Sequence, residues 1–218
     1  RFVYPENKDE VLEVVKTFNP DVIFHCAAFT AVDKAEEMEE VVNQVNVIGT
    51  KNIIDFSVSA NAVLHHTSTV SVHGAATVLQ KYSKAEFSED VLDIGQHYWN
   101  NVYIHSKYCA EEAVLLARKQ GLKANIYRIG NLTWRTTDGK FQKNSENNGF
   151  LHRIRAMIKM GVYQDNMDKF PMDFTAVDEC AKAFVNLAFL QNTNEIYHLY
   201  NHKFLSAKEF LTELGVNY

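Results

Sequence analysis

The sequence predicts an α/β fold, a doubly wound and mostly parallel sheet with helices on both faces. Three observations lead there. Short apolar runs alternate with helical patterns at the spacing of strand–helix–strand units, and such units lay sequential strands side by side in parallel. The runs are nearly continuous in apolar residues, as strands buried on both faces are. The chain has 218 residues, 46% hydrophobic and 22% charged, which suits one sizeable domain with a small lobe.

The elements follow in order. Residues 6–18 carry Val11, Leu12, Val14, Val15 and Phe18 among charges, an amphipathic helix that Asn19 and Pro20 stop. Residues 21–28 are a buried strand. Residues 36–60 form a long helical pattern, one helix or two, with Glu36 and Glu37 suited to its N-terminus. Residues 62–67 are the next strand, and residues 71–100 have no steady period and read as a long functional loop. A helix over 102–120 ends at Gly121, and a strand follows over 123–129. Residues 130–148 are polar and loop-like, and a helix over 150–160 ends at Gly161. Residues 178–190 are a helix with Asp178 as its cap, residues 196–200 a strand, and residues 206–214 a helix capped by Ser206. Residues 1–130 are therefore expected to hold the sheet and residues 131–218 mainly a mixed lobe with returning sheet elements.

Composition excludes several classes. A net charge of −5 gives no electrostatic reason to bind nucleic acid. No run of eighteen apolar residues occurs, so no membrane span is expected. The three cysteines, Cys26, Cys109 and Cys180, form no CxxC pair and no metal set, which points to a reducing cytoplasm. The sequence starts at Arg1 without a methionine, and both ends read as boundaries within a longer chain.

The chemistry centres on Tyr103 and Lys107. They lie four apart on one helix face, about 6 Å along the axis. A lysine beside a tyrosine is expected to favour the phenolate and lower the tyrosine's pKa. Such a tyrosine can pass a proton to a developing alkoxide, and the lysine can reach a ribose hydroxyl. Thr69 ends an apolar strand, where a hydroxyl points into the ligand crevice of a parallel sheet or caps the strand end. It is placed to donate to a carbonyl oxygen. Ala27 and Ala28 follow another strand and let a flat ligand, or a packed helix, approach the backbone.

The segments His25–Ala28, Asn46–Thr50, Ser68–Thr69 and Tyr103–Lys107, in this order, resemble the extended short-chain dehydrogenase/reductase family. The resemblance implies a Rossmann-type sheet, a nicotinamide cofactor and a catalytic set of Thr69, Tyr103 and Lys107. Ala27, Ala28, Asn46, Arg128, Gly130 and Asn131 join Tyr103 and Lys107 as its cofactor-binding residues, with a structural ion pair as the other reading of Arg128.

A narrower resemblance runs over residues 86–201, through Phe87–Gln96, Asn101–Tyr108, Ala110–Glu111, Tyr127–Thr133, Asp138–Gln142, Asn144, Val177–Asp178 and Tyr197–Leu199. It is similar to the terminal thioester reductase domains of nonribosomal peptide synthetases, relatives of carboxylic acid reductases. That resemblance implies NADPH, a phosphopantetheinylated carrier protein, and an acyl or peptidyl thioester released as aldehyde or alcohol. Two departures stand out: Trp134 replaces the glycine common after Asn131–Thr133, and no GxxGxxG occurs. The family places that loop after a first strand, so about 60 residues of βα units are expected to be missing ahead of His25. NADPH binding by this chain alone is then expected to be weak or absent, and the exposed strand edge predicts a homodimer.

Residues 27–36 look instead like dTDP-4-dehydrorhamnose reductases, which keeps a nucleotide-sugar reductase or epimerase as an alternative. An inactive fragment or binding module is a third reading. His65 and His66 are adjacent on a strand and face opposite sides, so they do not chelate one metal. Lys140, Lys143, Arg153 and Arg155 are docking candidates for an acidic carrier, or ordinary surface charges.

Overall fold

Among the described residues four parallel strands form the central sheet: β1 (Val22–His25), β2 (Val63–Thr69), β3 (Ala124–Ile129) and β6 (Ile196–Leu199), side by side in that order. The structure is a computed structural model that describes residues 4–74, 87–98, 101–161, 172–190 and 192–214. Register pairs His25 with His66, Ser68 with Arg128, and Arg128 with His198.

Helices cover both faces. On one lie α1 (Lys8–Phe18), α4 (Gly49–Ala60) and α5 (Val102–Lys119). Their apolar stripes meet the sheet in a core of Val11, Ile53, Phe56, Leu64, Val114 and Ile126. On the other lies α7 (Val177–Ala188), whose Phe184 ring packs edge-on against Tyr127 of β3 at 4.2 Å between centroids. Alternation along β2 sends Leu64 to the first face and His65, which stacks on Phe24 and bonds the Tyr127 hydroxyl, to the second. A smaller cluster joins α6 (Gly149–Met160) to α8 (Ala207–Glu213) through Ile154, Met157, Ala207 and Leu211. Beside it β4 (Leu132–Thr133) pairs in parallel with β5 (Thr175–Ala176).

Several expectations change. The pattern over 36–60 divides into α3 (Glu39–Asn43), a π-helical turn (Gln44–Ile48) and α4, after the short α2 (Val32–Ala35). Glu36 and Glu37 therefore follow α2 instead of opening a helix, and Glu36 Oε1 accepts the Val102 backbone N–H at the start of α5. Residues 130–148 are not wholly loop, because β4 lies among them. Asp178 is not at the cap position of α7, which Ala176 holds; it lies in the first turn, where its carboxylate accepts the Glu179 N–H and also the Thr136 N–H and hydroxyl, tying the 135–140 turn to the helix. Ser206 does cap α8, in a reciprocal box with Glu209. Within the long segment over 71–100 the structure describes a 3-10 turn (Val70–His73) and irregular chain over 87–98; residues 75–86 and 99–100 lie outside the described residues. Among the described residues β1 stands at one end of the sheet, with Val22 and Phe24 exposed on it.

Candidate active site

A cavity of about 320 Å³ opens at the C-terminal ends of β1, β2 and β3, between the first turns of α5 and the side of α7. This is where an open parallel sheet presents its ligand crevice. Thr67, Ser68 and Thr69 of β2 line it with Tyr103 and Lys107 of α5, Cys26 and Ala28 after β1, and Gly130 after β3.

The four-residue spacing puts Tyr103 and Lys107 on the same face of α5, and both reach the cavity. Asn101 caps the helix, its Oδ1 accepting the Ile104 N–H at 3.0 Å. Lys107 Nζ donates to the Thr67 carbonyl at 2.7 Å, tying the helix to the end of β2. Burial lowers the Lys107 pKa to about 8, opposed by the negative charge of Glu111. Burial raises that of Tyr103 to about 12, the reverse of the lysine-driven lowering expected from the sequence. The ammonium is turned to a carbonyl of β2, and loss of solvent dominates at the phenol. At neutral pH the phenol therefore keeps its proton, the state a proton donor needs. Thr69 Oγ1 accepts the Ser71 N–H at 3.2 Å, capping the 3-10 turn without committing its own hydroxyl proton.

The other expected residues divide. Ala28 and Gly130 line the cavity, while Ala27 and Asn131 are exposed beside it. Gly130 has no room for a side chain, since a Cβ there would collide with Asp173 Oδ2 and meet Tyr200 Cβ at 2.7 Å. Asp173, with no role expected from the sequence, holds this turn by accepting the Asn131 N–H at 2.7 Å and the Thr175 hydroxyl at 2.7 Å. Asn46 is buried behind the cavity. Its side chain pairs with both backbone polar groups of Phe29 and donates to Ser106 Oγ at 2.8 Å, so it shapes the turn after β1 from within a π-helical turn.

Arg128 takes the second of its two expected readings, the structural ion pair. It alternates to the α5 face, away from α7, and is fully buried in an ion pair with Glu111 at 2.7 Å. Its guanidinium also bonds the Ser88 and Val91 carbonyls, so it does not border the cavity. Trp134 packs against Phe141 and the α6–α8 cluster and lies outside the cavity lining. His105 is exposed and stacks on Tyr98. Among the described residues no group of three or more His, Cys, Asp or Glu side chains is placed to hold a metal, and no helix is long and apolar enough to cross a membrane.

Hydroxyl and ammonium donors beside small residues fit the nicotinamide and ribose end of a dinucleotide. A phosphate-cradling GxxGxxG does not occur in the sequence. Residues 8–184 match the NAD-binding family described as Male sterility protein. A linear gramicidin synthase of Brevibacillus parabrevis is 29% identical over 83% of this chain and 3% of its own length. A dTDP-4-dehydrorhamnose reductase of Mycolicibacterium smegmatis is 34% identical over 115 residues, 51% of this chain and 32% of its own. That likeness reaches well beyond the ten-residue segment expected to carry it. A thiolation-reductase di-domain from an archaeal non-ribosomal peptide synthetase superposes with a TM-score of 0.82 at 28% identity, over 99% of this chain and 58% of that one.

Proposed function

Because the chain belongs to the NAD-binding family described as Male sterility protein, we propose that it is the catalytic part of an NADPH-dependent reductase. The reductase releases an acyl or peptidyl thioester from a phosphopantetheinylated carrier protein as an aldehyde or alcohol. The observation that carries this is the convergence of Thr69, Tyr103 and Lys107 on one cavity at the strand ends. The likeness to synthetase reductase domains along almost the whole chain favours a thioester substrate.

Lys107 and Tyr103 would hold the nicotinamide ribose, with Ala28 and Gly130 bordering the ring. The cofactor supplies a hydride to the carbonyl carbon. Tyr103 Oη gives its proton to the carbonyl oxygen as negative charge develops there, and Thr69 Oγ1 donates a second hydrogen bond to that oxygen. The phenol's raised pKa keeps the proton in place until an alkoxide, a stronger base, draws it off. The resulting hemithioacetal breaks its C–S bond, leaving an aldehyde and a free thiol. Lys143, Arg153 and Arg155 are exposed beside or on α6 and suit an acidic carrier. The free cysteines suit a cytoplasmic setting, and the β1 edge suits self-association of this chain.

The test follows NADPH oxidation by the protein in its full natural length, supplied with an acyl-phosphopantetheinyl thioester. Turnover that disappears in Tyr103→Phe supports the reading. The likeness to the Mycolicibacterium enzyme favours a second one. Inertness toward thioesters with activity on a dTDP-4-keto sugar would move the assignment there.

A further inference from the structure

Three residues stand at four-residue intervals along one stripe of α5: Tyr103, Lys107 and Glu111. The first two face the cavity, whereas Glu111 is fully buried behind them. Its Oε2 accepts the Ser68 hydroxyl at 2.6 Å. Its Oε1 accepts Arg128 Nε at 2.9 Å and Nη2 at 2.7 Å. Ser68 sits between Thr67, whose carbonyl takes the Lys107 bond, and Thr69. One carboxylate thus fastens α5 to both central strands, one turn beyond Lys107.

Arg128 extends the connection. Nη1 donates to the Ser88 carbonyl and meets His198 Nε2 at 3.0 Å, Nη2 donates to the Val91 carbonyl, and the Phe87 ring lies 4.3 Å from the guanidinium carbon. The segment over 87–91 and β6 are therefore held to the same carboxylate as the helix.

A buried ion pair is a poor source of net stability, because well-packed apolar residues usually serve as well. Its bonds are directional, however, and directional bonds define a helix's register where apolar contacts tolerate sliding. A displacement of about 1 Å at reacting groups costs about a hundredfold in rate. We propose that Glu111 is a positioning residue: its bonds to Ser68 and Arg128 set where Tyr103 and Lys107 stand relative to Thr69. The inference rests on the reading that those three residues do the chemistry.

The test is the paired apolar replacement Glu111→Leu with Arg128→Met, which removes both charges and keeps the volume filled. The expected result is a folded protein whose kcat falls about a hundredfold while KM for the cofactor changes little. Ser68→Ala, which removes one bond only, should lower kcat less. A merely structural pair would leave the kcat of the folded protein unchanged, and that result overturns the proposal.

A second measurement needs no turnover: the titration of Lys107 in 15N-lysine-labelled chain. Lys107 is surrounded by Glu111 on its own helix, Cys26 and His25 at the end of β1, and His66 on β2. Glu111→Gln should move its midpoint below about 8, since the Glu111 charge opposes the effect of burial. An unmoved midpoint counts against the coupling. If the wild-type protein reduces no thioester, the functional reading fails, yet this titration still decides whether Glu111 is coupled to Lys107.

Discussion

Acidification should unfold this protein through a buried histidine, and the size of the effect follows from its surroundings. His25 ends β1 and is 4% exposed. Its Nε2 lies 3.0 Å from Thr50 Oγ1, which itself donates to the Asn46 carbonyl at 2.6 Å. The Thr50 proton is committed to that carbonyl, so the imidazole Nε2 is the donor in this pair. Burial, with the positive charge of Lys107 adding to it, lowers the His25 pKa from 6.5 to about 3. Below pH 6.5 the unfolded chain therefore binds a proton that the folded chain refuses. Stability is complete above 6.5 and lost progressively as pH falls toward 3. Two pH units below 6.5, the loss from His25 alone is about 2.7 kcal/mol, a large part of a domain's usual margin. His66, fully buried and also depressed, adds a loss of the same sign. Lys107 is protonated in both states throughout this window and contributes nothing to the slope. The assay is urea unfolding at several pH values for the wild type and for His25→Gln, which keeps an amide donor toward Thr50. The variant should lose the His25 part of the slope. Identical slopes in the two proteins would refute the reasoning.

Other outcomes follow from single features. Gly130→Ala should destabilise the fold by about 1–3 kcal/mol in urea titrations, because its methyl group would meet the Asp173 carboxylate and Tyr200 with nothing free to yield. Tyr103→Phe should lower kcat by about 10²–10⁴-fold while the melting temperature stays within a few degrees, since in the proposed reaction the phenol's hydroxyl supplies the proton. Calorimetric titration of this 218-residue chain with NADPH should give binding weaker than micromolar, because its sequence has no GxxGxxG to cradle the pyrophosphate. Asp178→Ala should free the 135–140 turn from α7, read as faster amide exchange at Thr136 and Thr137, whose N–H groups the carboxylate now accepts.

Elements governed by local rules were legible from the amino-acid order alone. Strand–helix alternation specified a parallel sheet, Asn19, Gly161 and Ser206 marked helix ends through left-handed backbone or capping chemistry, and the four-residue spacing put Tyr103 and Lys107 on one helix face. Those features depend on residues within a turn or two of one another. The motif order along the chain also carried the family resemblance, because such motifs are local segments.

Interactions between distant residues were settled by the folded arrangement. The pairing of Arg128 with Glu111, seventeen positions apart, needs the register of α5 on β3, and that register sends Arg128 to the face away from α7. Asp178 reached from the first turn of its helix to Thr136, forty-two positions away, and Asp173 bonded Asn131 across the same separation. The Tyr103 pKa turned on burial that no neighbour in sequence reveals. Each case asks which polar group finds a partner once water is excluded, and that is settled by three-dimensional packing.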